Sequence, residues 1–217
     1  MKKNNKKNLY LATILLLGFV LWTVALCFID VKAIGPNNSS VGFSSLNSFV
    51  HSLTDVHFAL YTITDWLGLA PVAICFFFAT LGLIQWIKRK NILKVDYSIL
   101  VLGGFYIVVF AVYLFFEEFV INYRPVLING YLEASYPSST TLLVLCVMPT
   151  AIMQFNTRIK NCFLRHFVNS LITAFIVFMV VARLISGVHW FSDIIGGVLL
   201  SFGLVMMYYY VSKLKTT

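Results

Sequence analysis

Long apolar runs alternate with short polar segments along most of the chain. The six longest runs are each close to the roughly 20 residues with which a helix crosses a bilayer core. They lie at residues 9–29, 67–87, 98–116, 139–155, 167–182 and 194–212. Lipid offers no hydrogen-bond partners to the backbone, so such runs must satisfy their own polar groups as helices. The sequence therefore predicts an all-α integral membrane protein with six transmembrane helices.

The longest segment between two of these runs, residues 30–65, is predicted to contain one more helix. A turn-rich stretch at residues 34–40 is followed by residues 41–65, where aromatic and aliphatic side chains mix with polar ones. That mixture favours a helix lying in the membrane interface, between the first and second spans. Since no repeat or soluble linker interrupts the chain, residues 1–217 are predicted to form a single membrane domain.

Composition agrees with membrane embedding. The 217 residues are 60% hydrophobic and only 11% charged, and the mean hydropathy is +0.89, far too apolar for a soluble globule of this size. Four cysteines fall in the spans or on one side of the membrane and indicate neither a disulfide framework nor a metal cluster.

Charges fall unevenly on the two sides of the predicted spans. Thirteen of the sixteen basic residues share one side: Lys2, Lys3, Lys6, Lys7, Lys88, Arg89, Lys90, Lys94, Arg158, Lys160, Arg165, Lys213 and Lys215. The positive-inside rule makes that side cytoplasmic, so both termini are expected in the cytoplasm and the protein in the cytoplasmic membrane. The net charge of +8 then reflects topology and anionic inner-leaflet lipid, and no nucleic acid partner is expected.

The most chemically informative segment runs from Arg183 to Asp193. It sets ionisable side chains at a membrane boundary, where they are costly unless they have a function. If the chain is helical from His189 onward, His189 and Asp193 lie one turn apart on one face. The carboxylate can then fix the imidazole tautomer, the free nitrogen can act as a nucleophile, and Arg183 can stabilise an oxyanion.

Two other segments reach the same outer side, residues 117–125 after the third span and residues 136–140 before the fourth. Taken singly, each has an ordinary explanation, since arginines snorkel at span ends and serines cap helices. Taken together, they bring Arg124, Arg183, a helix amino terminus and a His/Asp pair to one face. Guanidinium groups and free helix N–H groups match phosphoryl oxygens, so this combination predicts a phosphate-binding site.

These motifs resemble those of the type 2 phosphatidic acid phosphatases, also called lipid phosphate phosphatases. Arg124-Pro125 matches the end of the family's first motif, Lys-x6-Arg-Pro. Pro137-Ser138 matches the start of the second, Pro-Ser-Gly-His. Arg183, His189 and Asp193 match the third, Ser-Arg-x5-His-x3-Asp, which is the most specific of the three.

The resemblance covers residues 65–212, which would form the phosphatase-like core. It implies that His189 attacks phosphorus to form a phosphohistidine, that Asp193 orients it, and that no metal or other cofactor is required. Its expected phosphate-binding residues are Arg124, Arg183, Ser138 and Ser139. The implied substrate is an isoprenoid or glycerolipid phosphate or diphosphate, with its tail in the outer leaflet of a bacterial membrane.

The chain departs from the family pattern at four positions. Glu117 stands at the lysine of the first motif, Ser139 at the glycine and Thr140 at the histidine of the second, and Ala182 at the serine of the third. A carboxylate at position 117 weakens phosphate binding unless it points away. A missing general acid at Thr140 costs about 10²- to 10⁴-fold in rate.

Three consequences of that missing acid remain open at the level of sequence. Another group supplies the proton, with His51 and His57 as candidates; the substrate has a leaving group that needs no proton; or catalysis has been lost.

The primary prediction is a membrane lipid phosphatase with its active site outside the cytoplasm. The alternative from another class is a lipid-phosphate binding or carrier protein of the same fold, and a vanadate-dependent oxidase ranks third. The sequence does not specify the oligomeric state.

Overall fold

The computed structural model describes residues 2–214, so Lys215 of the predicted basic cluster lies outside the described residues. The described chain consists of α-helices, two short 3₁₀ helices (Pro36–Asn38 and Ile92–Lys94), turns and isolated bridges. Its helices are α1 (Lys2–Phe28), α2 (Ser44–Thr54), α3 (Phe58–Leu67), α4 (Leu69–Arg89), α5 (Tyr97–Glu118), α6 (Ser139–Arg158), α7 (Cys162–Ile185) and α8 (Phe191–Ser212). Within residues 2–214, six helical segments are long and apolar enough to cross a membrane. The predicted class, a multi-pass all-α membrane protein, is confirmed.

The segment between the first two spans differs from its prediction. The interfacial helix predicted over residues 41–65 is shorter, because α2 ends at Thr54 and Asp55 has a positive φ of 54°. The second span is correspondingly longer, since α3 and α4 meet at Gly68 and together form the apolar segment Phe58–Arg89. Between α2 and α3, the backbone N–H of His57 bonds the carbonyl oxygen of Ser186 at 3.0 Å, which ties this break to the α7–α8 loop.

Helices α6 and α8 form the centre of the bundle and are the most buried of the spans. Helix α6 packs against α4, α5, α7 and α8, while α1 lies along α8. Ala12, Phe19 and Leu26 of α1, spaced seven residues apart, are all buried. A seven-residue spacing keeps side chains on one helix face, and this face packs on the core.

Two extended segments between α5 and α6 organise one end of the bundle. Residues 122–124 and 133–135 run antiparallel, with an isolated bridge between Tyr123 and Ala134. Arg124 N–H donates to the Glu133 carbonyl at 3.1 Å, and Ser135 N–H donates to the Asn122 carbonyl at 2.9 Å. This pairing brings residues from before and after the loop tip beside the amino termini of α6 and α8.

Candidate active site

His189 lies in the short loop between α7 and α8, and Asp193 lies in the first turn of α8. Because α8 begins at Phe191, the helix starts two residues later than the spacing of the pair suggested. The two side chains nevertheless meet. His189 Nδ1 is 3.8 Å from Asp193 Oδ2, and the residues are 3% and 0% exposed.

The loop that carries His189 is held by the break between α2 and α3. Gly187 has a φ of +68°, and a Cβ there would lie 1.8 Å from the Asp55 carbonyl oxygen, so only glycine fits this approach. His51 Nε2 lies 3.1 Å from the Gly187 carbonyl oxygen. The neighbouring contact between His57 and Ser186 is made by backbone atoms. His51, one of the two histidines considered as proton donors, therefore helps to hold the loop.

Ser135 stands between the imidazole and the carboxylate. Its hydroxyl donates to Asp193 Oδ2 and lies 3.2 Å from His189 Nδ1. The 3.8 Å between Nδ1 and Oδ2 is too long for a good hydrogen bond. The direct carboxylate–imidazole bond envisaged from the sequence is therefore absent among the described residues, and a serine hydroxyl connects the pair instead.

Asp193 receives further donors from two segments of the chain. Trp190 N–H donates to Oδ2 at 2.9 Å, and Asn122 Nδ2 and Ser192 Oγ each lie 3.4 Å from Oδ1. Asn47 of α2 holds Ser192 through both its amide atoms, at 2.9 and 3.0 Å. With Ser135, Asp193 has four donors, which suit the acceptor-only oxygens of an ionised carboxylate. Sequence reasoning did not identify Asn47, Asn122 or Ser135.

Arg124 and Arg183 converge on one aromatic ring at this end of the bundle. Their Cζ atoms lie 5.7 and 4.9 Å from the centre of the Tyr61 ring, and the residues are 7% and 1% exposed. Arg183 Nη1 donates to Thr64 Oγ1 at 3.1 Å, and Nη2 lies 3.7 Å from Asp65 Oδ1. Helix α3, predicted as part of an interfacial helix, thus positions the third-motif arginine.

Several buried nitrogen atoms at this end are left without a hydrogen-bond partner among residues 2–214. They are His189 Nε2, Arg183 Nε, and Nε and Nη1 of Arg124. Arg124 Nε has only an ion pair, with Glu133 Oε2 at 3.2 Å. Buried guanidinium donors without acceptors are costly, so this arrangement favours binding of an anion.

His189 is electrostatically coupled to both arginines. Burial, followed by the positive charges of Arg124 and Arg183, holds the pKa of His189 well below its ordinary value of 6.5. The imidazole is therefore neutral at physiological pH. A neutral imidazole with an unpaired Nε2 beside two guanidinium groups has the properties of a nucleophile poised toward a bound oxyanion.

The amino terminus of α6 lies against α8. Ser138 caps α6, accepting from the Thr141 hydroxyl at 3.0 Å, and its backbone N–H donates to the Asp193 carbonyl at 3.1 Å. Ser138 is fully buried, whereas Ser139 and Thr140 are partly exposed. A helix amino terminus leaves its first N–H groups without intrahelical acceptors. Because the N–H and the hydroxyl of Ser138 both have partners, a phosphate contact from this helix end would come from the N–H groups of Ser139 and Thr140.

Glu117, at the carboxyl end of α5, belongs to the same end of the molecule. It lines a small cavity together with Ser135, Tyr136 and Ser139. Its carboxylate also interacts electrostatically with Arg124, which places it at this end of the site. The positive charge of the family lysine is replaced here by a carboxylate close to the catalytic candidates.

The chain is similar to known proteins in its sequence and in its fold. The family described as the PAP2 superfamily matches residues 109–216. A solved structure described as the first transmembrane PAP2 type phosphatidylglycerolphosphate phosphatase from Bacillus subtilis has a similar fold, with a TM-score of 0.57. That similarity covers 92% of this chain and 94% of the other, at 18% sequence identity. No curated protein gives a significant match. From its motifs, its fold and the family match, the chain belongs to the PAP2 superfamily, the type 2 phosphatidic acid phosphatases.

Proposed function

We propose that this protein is a membrane phosphatase that hydrolyses a lipid phosphate or diphosphate at the extracytoplasmic face through a phosphohistidine intermediate. The observation that carries the proposal is the unpartnered Nε2 of a buried, neutral His189, coupled to Arg124 and Arg183. Membership of the PAP2 superfamily supports the reaction class.

In the first step, the lone pair of His189 Nε2 forms a bond to phosphorus. The bond between phosphorus and the oxygen of the leaving group breaks, and that oxygen keeps the electron pair. Arg124 and Arg183 donate to the remaining phosphoryl oxygens, whose charge rearranges in the transition state. The lipid leaves as an alcohol after taking up a proton, or as a lipid monophosphate when the substrate is a diphosphate.

In the second step, water attacks the phosphorus of the phosphohistidine. The nitrogen–phosphorus bond breaks, its electrons return to Nε2, and the water proton is lost to solvent or phosphate. The products are inorganic phosphate and the neutral histidine that began the cycle. No metal ion takes part in this sequence of steps.

A membrane-embedded cavity supports a lipid as the substrate. It has a volume of about 590 Å³ and lies between α4, α5 and α6. Apolar side chains such as Val72 and Phe110 line most of it, while Asp65, Ser139 and Thr140 line its polar part. An acyl or isoprenoid tail in this cavity places its headgroup beside the amino terminus of α6.

The distribution of charge supports the extracytoplasmic location. The candidate site lies at the end of the bundle formed by the α6 and α8 amino termini. The basic clusters around Lys88–Lys94, Arg158–Arg165 and Lys213 follow the opposite ends of α4, α6 and α8. Under the positive-inside rule those clusters are cytoplasmic, and the site faces outward.

A lipid-phosphate binder or carrier is the second candidate, and residues of the site itself favour it. Thr140 replaces the family's general acid, and Glu117 places a negative charge beside the site. Both candidates use the same arginines to hold phosphate. They differ only in whether the phosphorus–oxygen bond is broken.

The test is phosphate release by purified protein from a panel of lipid monophosphates and diphosphates. The matched variants are His189→Ala and His166→Ala, the second of which alters an exposed histidine that bonds the Cys162 carbonyl at the other end of α7. We expect release by the wild type and His166→Ala, and none by His189→Ala. Saturable binding of lipid phosphate without release would favour the carrier.

A further inference from the structure

We propose that Ser135 is a positioning residue. Its hydroxyl fixes the reactive tautomer of His189 and transmits the electrostatic effect of the Asp193 carboxylate to the imidazole. The proposal rests on the proposed function, because it concerns the nucleophile of that reaction. It assigns a role to a residue outside all three sequence motifs. The geometry that carries it is the placement of one hydroxyl between an imidazole nitrogen and a carboxylate oxygen.

The hydrogens that the three groups carry determine which atom donates in each hydrogen bond. An ionised carboxylate can only accept, so the single hydroxyl proton of Ser135 goes to Asp193 Oδ2. The oxygen of Ser135 then presents a lone pair to His189 Nδ1, 3.2 Å away. Nδ1 must therefore carry the hydrogen, and Nε2 is left with an unshared lone pair for attack.

Ser135 is rigidly placed for this task. The residue is 2% exposed, and its backbone N–H bonds the Asn122 carbonyl at 2.9 Å. The next residue, Tyr136, packs on α8 at Gly196, where a Cβ would come within 2.4 Å of the ring. The Tyr136 hydroxyl also lies 2.6 Å from Thr23 Oγ1 of α1. The backbone bond to Asn122 and the packing of Tyr136 therefore hold the serine beside α8.

The same arrangement stabilises the positive charge that the imidazole gains during the reaction. When Nε2 bonds to phosphorus, the imidazole gains positive charge while Nδ1 keeps its hydrogen. The bond from Nδ1–H to Ser135 then strengthens, because the serine oxygen is polarised by the carboxylate on its other side. No proton has to leave the chain of three groups, so Asp193 acts on the nucleophile through Ser135.

The kinetic test compares Ser135→Ala, Ser135→Thr and the matched control Ser201→Ala. Ser201 is a fully buried serine on α8 whose hydroxyl bonds the Leu142 carbonyl, away from the site. We expect Ser135→Ala to lower kcat about 10²-fold with little change in KM, because a misdirected tautomer affects chemistry more than binding. Ser135→Thr, which keeps a hydroxyl, should restore much of that loss, and Ser201→Ala should behave like the wild type.

A spectroscopic test does not depend on turnover. In protein labelled with ¹⁵N-histidine, the resonances of His189 are those among the four histidines that disappear in His189→Ala. The proposal expects a protonated Nδ1 and a bare Nε2 in the wild type, and a mixture of tautomers in Ser135→Ala.

The possible outcomes distinguish the positioning role of Ser135 from the proposed phosphatase reaction. A wild-type His189 with its hydrogen on Nε2, or a Ser135→Ala variant with unchanged kcat, overturns the positioning role of Ser135. Neither result contradicts the proposed phosphatase activity. A wild type that releases no phosphate from any lipid overturns the proposed function. In that case the tautomer of His189 still decides whether Ser135 positions it.

Discussion

Replacing Asp193 by asparagine removes one charge from the site while keeping its shape. The amide oxygen can take the place of Oδ2 and still accept from Trp190 N–H and the Ser135 hydroxyl. The amide nitrogen then faces Asn122 Nδ2 and Ser192 Oγ. The Asn122 amide can turn to present its oxygen, and Ser192 Oγ can accept a hydrogen bond from the new N–H. We therefore expect Asp193→Asn to fold and to retain the His189 tautomer.

The magnitude follows from the distance between the two groups. At 3.8 Å and an effective dielectric constant of about 20, a unit positive charge on the imidazole gains about 4 kcal/mol from the carboxylate. That is about a 10³-fold effect on rate. Since the amide dipole and the Ser135 bond persist, we expect kcat to fall by about 10²- to 10³-fold. Asp193 acts on the imidazole through Ser135 and has no proposed contact with the phosphate, so KM should change little.

The assay is steady-state release of phosphate from the best lipid substrate, with thermal unfolding as the check on folding. Asp96→Asn is the control, because Asp96 pairs with Arg89 at the opposite end of the bundle. It should match the wild type in kcat. An Asp193→Asn variant that folds and keeps the wild-type kcat, or that changes only KM, would refute the electrostatic role of the carboxylate.

The remaining predictions concern pH, substrate preference and topology. The lowered pKa of His189 keeps the imidazole neutral in weak acid, so its ¹⁵N resonances should titrate only well below pH 6.5; a titration midpoint at or above 6.5 contradicts this. A diphosphate needs less protonation of its leaving oxygen, so the wild type should prefer it, and Thr140→His should raise monoester turnover more than diphosphate turnover. Equal gains, or faster monoester cleavage by the wild type, would mean that another residue already donates the proton. In a cysteine-free background, a single cysteine at Asn129 should react with an impermeant thiol reagent on intact cells, whereas one in the Lys88–Lys94 loop should not; the reverse labelling inverts the topology.

The lengths of the apolar runs predicted the six spans, because in a membrane both the length and the polarity of a helix are constrained by lipid. The predicted span boundaries were least accurate at polar residues that contact the candidate site. The sequence assigned Thr64 and Asp65 to an interfacial helix, since hydroxyl and carboxylate groups are unusual inside a span. The structure places both residues beside Arg183. Buried Thr64 accepts from Nη1 at 3.1 Å, and Oδ1 of Asp65, whose side chain is 61% exposed, lies 3.7 Å from Nη2, so the polarity of both residues is explained by the arginine.

The candidate site was predictable to the extent that its residues carry recognisable spacing. Arg183, His189 and Asp193 lie within one short segment, and their convergence follows from it. Ser135, Asn122 and Asn47 act from separate segments, and serine and asparagine are common in turns and caps for local reasons. Nothing in the sequence distinguishes them from such residues, so only the packed arrangement reveals that they surround the His/Asp pair.

The central claim is that phosphate passes through His189, and trapping that intermediate tests it most directly. Wild type and His189→Ala would be mixed with lipid carrying a radiolabelled terminal phosphate, quenched in alkali within one turnover, and examined for labelled protein and for its modified peptide. We expect a base-stable, acid-labile phosphoryl group on His189 of the wild type and none on the variant. Phosphate release by His189→Ala at the wild-type rate, or a label on a different residue, would contradict it.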